Sequence, residues 1–98
     1  MDRKKLRKLQ RECHDCRNGQ RKAREFESLA TRLGRAQVKR GKEPYWESTE
    51  FQHLPALSIP HHGGADIPVG TKNSIIAALQ QDIDAWEERL GEDEDDDE

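Results

Sequence analysis

Apolar residues are sparse along this chain, but their spacing is regular. Ala23, Phe26, Leu29, Ala30 and Leu33 recur at steps of three and four, which predicts one buried helix face. Gly34 follows as the stop. Ile75, Ile76, Leu79, Ile83, Trp86 and Leu90 repeat that spacing and predict a long amphipathic helix, with Thr71 as N-cap and Gly91 as its end. Leu6, Leu9 and Cys13 draw a thin apolar edge along residues 3–17, a basic helix closed by the break signal Asn18-Gly19.

Between the second and third helices the period drops to two. Ala36 and Val38 alternate with Arg35, Gln37 and Lys39, the pattern of a half-buried strand. Arg40-Gly41-Lys42 reads as a turn or bulge, and Tyr45 to Ser48 as a second strand. Residues 49–55 connect it to a third strand around Leu57 and Ile59, ended by Pro60. The stretch "HHGGADIPVG" then reads as a loop, with turn freedom at Gly63 and Gly64. The expected fold is α+β: a three-stranded antiparallel meander with helices on one face, plus an extra N-terminal basic helix. Residues 1–19 are expected as a basic extension, 20–91 as the domain and 92–98 as a disordered acidic tail.

Charge sharpens the picture. Of 98 residues, 38% are charged and 32% apolar, and the mean hydropathy is −1.15, so the core must be small. The net charge of −3 hides two opposed halves. Residues 1–42 hold 15 of the 17 Lys and Arg and 5 of the 20 Asp and Glu, a net of +10; the remainder is net −13. A cationic half of this kind points to phosphate backbones. The basic N-terminus lacks the apolar run of an export signal, and no stretch is long enough to span a bilayer, so a cytoplasmic location with reduced thiols is expected.

The segment "LSIPHHGGADIPVGTKNSIIAALQQD" resembles the C-terminal half of HicA-type toxins. Pro60, His62, Gly70, Thr71, Ser74 and Ile75 match that family's Pro-x-His step, Gly-Thr pair, Ser-Ile pair and following helix. Leu29 to Gly41 resembles its first helix and strand, and the likeness covers roughly residues 22–90. The resemblance implies an α-β-β-β-α fold like a double-stranded RNA-binding domain. It also implies a metal-independent endoribonuclease acting on mRNA and neutralised by a HicB-like antitoxin. In one place the chain departs from the family. Glu43 stands where the family carries its catalytic His, so that general base is not carried over.

RNA cleavage without metal needs a base for the 2′-OH, an acid for the leaving 5′-oxygen and cations for the phosphate. Glu43 as base and His62 as acid are the candidate catalytic pair, against plainer roles as a turn residue and a loop-shaping histidine. Arg35, Lys39, Arg40, Lys42, His61 and Lys72 are the candidate RNA contacts. No cofactor or metal is expected. Adjacent His61 and His62 point to opposite sides of an extended chain, and "CHDC", Cys13 to Cys16, is only half a zinc site. Cys13 and Cys16 are expected to be unremarkable residues on a frayed helix, with a reversible thiol pair as the alternative.

Overall fold

The computed structural model describes residues 1–40, 43–60 and 66–95; the side chains of Arg40, Glu43 and residues 92–95 lie outside that description. Helices α1 (Arg3–Asp15) and α2 (Ala23–Arg32) precede strands β1 (Arg35–Arg40), β2 (Glu43–Ser48) and β3 (Leu57–Ser58), and helix α3 (Val69–Asp95) closes the chain. The three strands form one antiparallel sheet in the order β1-β2-β3. The architecture is thus α+β, as the periodicities predict.

Each helix begins and ends for a local reason. Asp2 caps α1 by accepting the Lys5 backbone N–H at 2.7 Å. At α2 the Glu25 carboxylate reaches back to the Lys22 backbone N–H at 2.8 Å. Gly34 ends α2 with φ of 98°, a conformation that disfavours any residue with a Cβ. A Cβ there would also meet Glu50 Cγ at 3.4 Å and Trp86 Cζ2 at 3.6 Å.

Helix α3 differs from expectation at both ends. It starts at Val69, and Thr71 lies inside it; Pro68 takes the capping place, its carbonyl accepting the Lys72 N–H at 2.8 Å. Gly91 does not end it. Its φ is not positive, and the helix runs on to Asp95. A helical Gly costs only about 1 kcal/mol relative to Ala, which good helix formers such as Glu88 on the preceding turn offset. Backbone helix therefore enters the stretch expected to be a disordered tail from residue 92, and residues 96–98 lie outside the described residues.

One core joins all the elements. Phe26, Leu29 and Ala30 from α2 and Leu33 at its C-cap meet Ile75, Ile76, Leu79, Ile83 and Trp86 from α3, with Trp46, Leu57 and Ile59 from the sheet side. Full burial of a side chain such as Phe26 contributes roughly 1.5–3 kcal/mol. Leu6, Leu9, Cys13 and Cys16 belong to the same cluster, so α1 is built into the domain rather than attached in front of it. It runs antiparallel to α3. Lys72, near the start of α3, reaches the carbonyls of Arg17 and Gly19 past the end of α1, whereas Gln80, farther along, borders Arg7, Arg11 and His14.

The phase of β1 is the main correction to the pattern. Ala36 is exposed and Val38 half-buried, whereas Arg35 is 3% exposed. Register explains why. Arg35, Gln37 and Lys39 share a sheet face with their partners Ser48, Trp46 and Pro44, and Trp46 also faces Leu57. That face is covered by helices at the Arg35 end. Arg35 survives burial because its Nε and Nη2 donate to the two carboxylate oxygens of Asp82, both at 2.7 Å. Its Nη1 donates to the carbonyls of Trp46 and Pro55. Pro44 is tolerated within β2 because its missing N–H faces away from the β1 ladder. The Thr49 N–H donates to the Gly34 carbonyl at 3.0 Å, so Glu47, Tyr45 and Glu43 take the β1 bonds.

Removing one partner of a buried ion pair leaves the other uncompensated and costs about 3–5 kcal/mol. Arg35→Met and Asp82→Leu are each expected to lose about that much by urea denaturation. The double variant should recover part of the loss, leaving the cost of the Arg35 hydrogen bonds to the Trp46 and Pro55 carbonyls. Additive single losses would show that the pair is not coupled.

Candidate nucleic-acid interface

The expected RNA contacts divide by burial. Arg35 is held inside by Asp82, and Lys72, 5% exposed, is tied to two backbone carbonyls at 3.0 Å. Both were expected to face phosphate. Both are instead structural, because every strong donor bond they make points inward. Lys39 is exposed on β1. Arg40 pairs with Glu43 through the backbone at the hairpin end of β1 and β2, with its side chain undescribed. Lys42, His61 and His62 lie outside the described residues.

The backbone still constrains the expected catalytic pair. Tyr45 lies opposite Ser58. Glu43 stands two residues before Tyr45, and Pro60 two residues after Ser58, so both belong to the same end of the sheet. The far side of the following loop is also anchored. Asp66 bridges Lys22, and the Ile67 N–H donates to the Arg21 carbonyl at 2.8 Å.

Among the described residues the densest exposed cationic surface is α1, whose residues the expected contact set left out. With Leu6, Leu9 and Cys13 buried, Arg3, Lys4, Lys5, Arg7, Lys8 and Arg11 all reach solvent. Arg7, Arg11 and His14 follow one another at i, i+4 and i+7 and so lie on one face. With Gln10 and with Gln80 of α3 they line a groove of about 360 Å³. The basic spacing along α1 was visible in the sequence; the neighbouring Gln80 was not.

A second cavity, about 460 Å³ between α1 and α2, has a different character. Glu12, Asp15 and Glu25 line it beside Arg21, Arg24 and Arg32, so its charges balance. Arg32 pairs with Glu12 at 2.6 Å and Arg21 with Glu25 at 3.2 Å. Burial pushes the Glu25 carboxyl up, but the Lys22 N–H and the Arg21 guanidinium outweigh it and hold it below the ordinary carboxylate value. A phosphate gains less there than on α1.

Comparison with known proteins is silent: no family model, no curated protein and no solved structure matches the chain. Among the described residues no three His, Cys, Asp or Glu side chains gather as metal ligands. Nor is any described helix long and apolar enough to cross a membrane.

Cys13 and Cys16 are free thiols packed in the core, not residues of a frayed end. Burial pushes the Cys13 thiol up to about 11, helped by neighbouring Cys16. A buried neutral thiol is a poor nucleophile and a poor metal ligand. Folding holds the Cys13 proton to higher pH than the unfolded chain does, so this residue's contribution to stability is constant below about pH 9 and falls as pH rises from 9 toward 11. Chemical denaturation across that range is expected to show a smaller alkaline loss in Cys13→Ala than in the parent chain. Equal losses would remove Cys13 as the cause.

Proposed function

We propose that this chain is a HicA-like toxin-family protein that binds RNA, with the solvent face of α1 as its main phosphate contact. The observation that carries the RNA reading is the run of exposed Lys and Arg on a helix whose opposite face is locked into the core. A rigid row of cations tracks a phosphate backbone without reading bases, so binding is salt-dependent and tolerant of sequence. The family reading is supported by the Pro60–Ile75 motif and by the order α2-β1-β2-β3-α3. That order is the one expected of a fold like a double-stranded RNA-binding domain.

Cleavage is the further step. In this proposal Glu43 takes the 2′-OH proton, the oxygen attacks phosphorus, and His62 protonates the departing 5′-oxygen. The products are a 2′,3′-cyclic phosphate and a 5′-hydroxyl. The shared sheet end of Glu43 and Pro60 supports this pairing. A HicB-like antitoxin would be the protein that restrains the activity. The alternative is a non-catalytic RNA-binding or protein-interaction module on the same fold, favoured by Glu43 standing where the family carries histidine.

Fluorescence anisotropy with labelled RNA over a salt series tests the binding step. Arg11→Ala is expected to weaken binding across unrelated sequences and to reduce the salt slope by about 1. An unchanged slope would move the contact away from α1. Incubation of RNA in chelator tests the chemistry. Cyclic-phosphate products that disappear in Glu43→Gln and in His62→Ala support the pair, whereas binding without cleavage supports the alternative.

A further inference from the structure

We infer that the open edge of β1 is a docking site for an extended acidic strand of a partner protein. Strand β1 lies at one side of the sheet, and among the described residues β2 is its only strand neighbour. The Thr49–Gly34 bond and the register place Ala36, Val38 and Arg40 in the pairs that bond to β2. The backbone N–H and C=O groups of Gln37 and Lys39 therefore point away from the sheet. Among the described residues, no backbone bond joins either one to another element. They form a ready ladder for one more strand.

The side chains beside this edge define the occupant. On the outer sheet face Ala36 is exposed, Val38 half-buried and Tyr45 37% exposed, a small apolar strip beside the edge. On the opposite face Gln37 and Lys39 are exposed. A paired strand alternates its side chains between these two faces. The matching segment therefore alternates Asp or Glu toward Lys39 with Val, Thr or Ala toward Val38 and Tyr45. Lys39, exposed beside the edge, attracts such a segment. A second copy of β1 fits poorly, because it brings another Lys39 against the first. The α1 phosphate contact lies elsewhere, since α1 packs on α3 and α2 on the helical side of the molecule, and only Lys39 is shared with the expected RNA contacts.

The probe is a labelled synthetic peptide, Glu-Val-Glu-Thr-Glu-Val-Glu, titrated against the full chain by anisotropy. Its partner control is the same peptide N-methylated on alternate residues, which keeps the charge and loses the ladder. Binding of the plain peptide and about tenfold weaker binding of the methylated one is the expected result. Gln37→Pro removes an outward N–H and no β1–β2 bond, so it should keep the circular dichroism of the parent and weaken the peptide about tenfold. Lys39→Glu should weaken it as well, without touching the backbone. Amide exchange provides a readout without any variant: Gln37 and Lys39 should exchange fast in the free chain and slow on peptide addition, with Val38 slow throughout. Equal affinity for both peptides, no binding of either, or slow exchange at Gln37 and Lys39 in the free chain would overturn the proposal. Concentration-dependent dimers abolished by Gln37→Pro would overturn it in favour of a second copy.

Discussion

The Arg35–Asp82 pair decides how the sheet meets the helices. One guanidinium ties the first residue of β1 to the middle of α3, to the Trp46 carbonyl on β2 and to the Pro55 carbonyl before β3. Both charges are almost fully removed from water, at 1% side-chain exposure each. Such a pair adds little net stability over apolar residues of the same volume, but it tolerates very few alternative arrangements. Any register or strand rotation that turned Arg35 outward would leave Asp82 charged and alone on the apolar stripe of α3. Turning Arg35 inward fixes the faces of the remaining strand residues, because side chains alternate.

Two surfaces follow from that choice. Ala36, Val38 and Tyr45 are left on the outer sheet face, next to a free strand edge. On the helical side, Leu6, Leu9 and Cys13 hold α1 against α3 and leave its cations in solvent. Lys72 reinforces that docking by gripping the chain as it leaves α1. Two of the cations in the balance thus build the interior. The cavity between α1 and α2 neutralises others with Glu12 and Glu25. What remains on α1 is a row of cations that reach solvent.

Most of the fold was legible in the chain, because helix stripes are redundant signals. Four apolar positions in α2 with Leu33 at its C-cap, and six in α3, agree on one face each, and Gly34 marks a turn that only a positive φ makes. The β1 stretch has only Ala36 and Val38 to set its phase, and one buried polar residue overrides two small apolar ones. Phe51 was equally hidden. It sits in the connection before β3, and it is buried because the Trp86 ring edge packs at 4.9 Å and Arg89 lies over its face at 4.2 Å. Of the candidate site, the charge on α1 was legible and the role of Arg35 and Lys72 was not.

The amino-acid sequence by itself determined the number, type and order of the elements, the two opposed charge halves and the thin apolar edge that seats α1. These depend on spacing and composition, which are local. Only the tertiary structure decided which cations are interior, which sheet face is covered, and that α3 runs through Gly91. The reason lies in distance along the chain. Arg35 finds Asp82 47 positions away, and Lys72 finds the Gly19 carbonyl 53 positions away. The partner that permits a charge to be buried leaves no mark on the pattern around that charge.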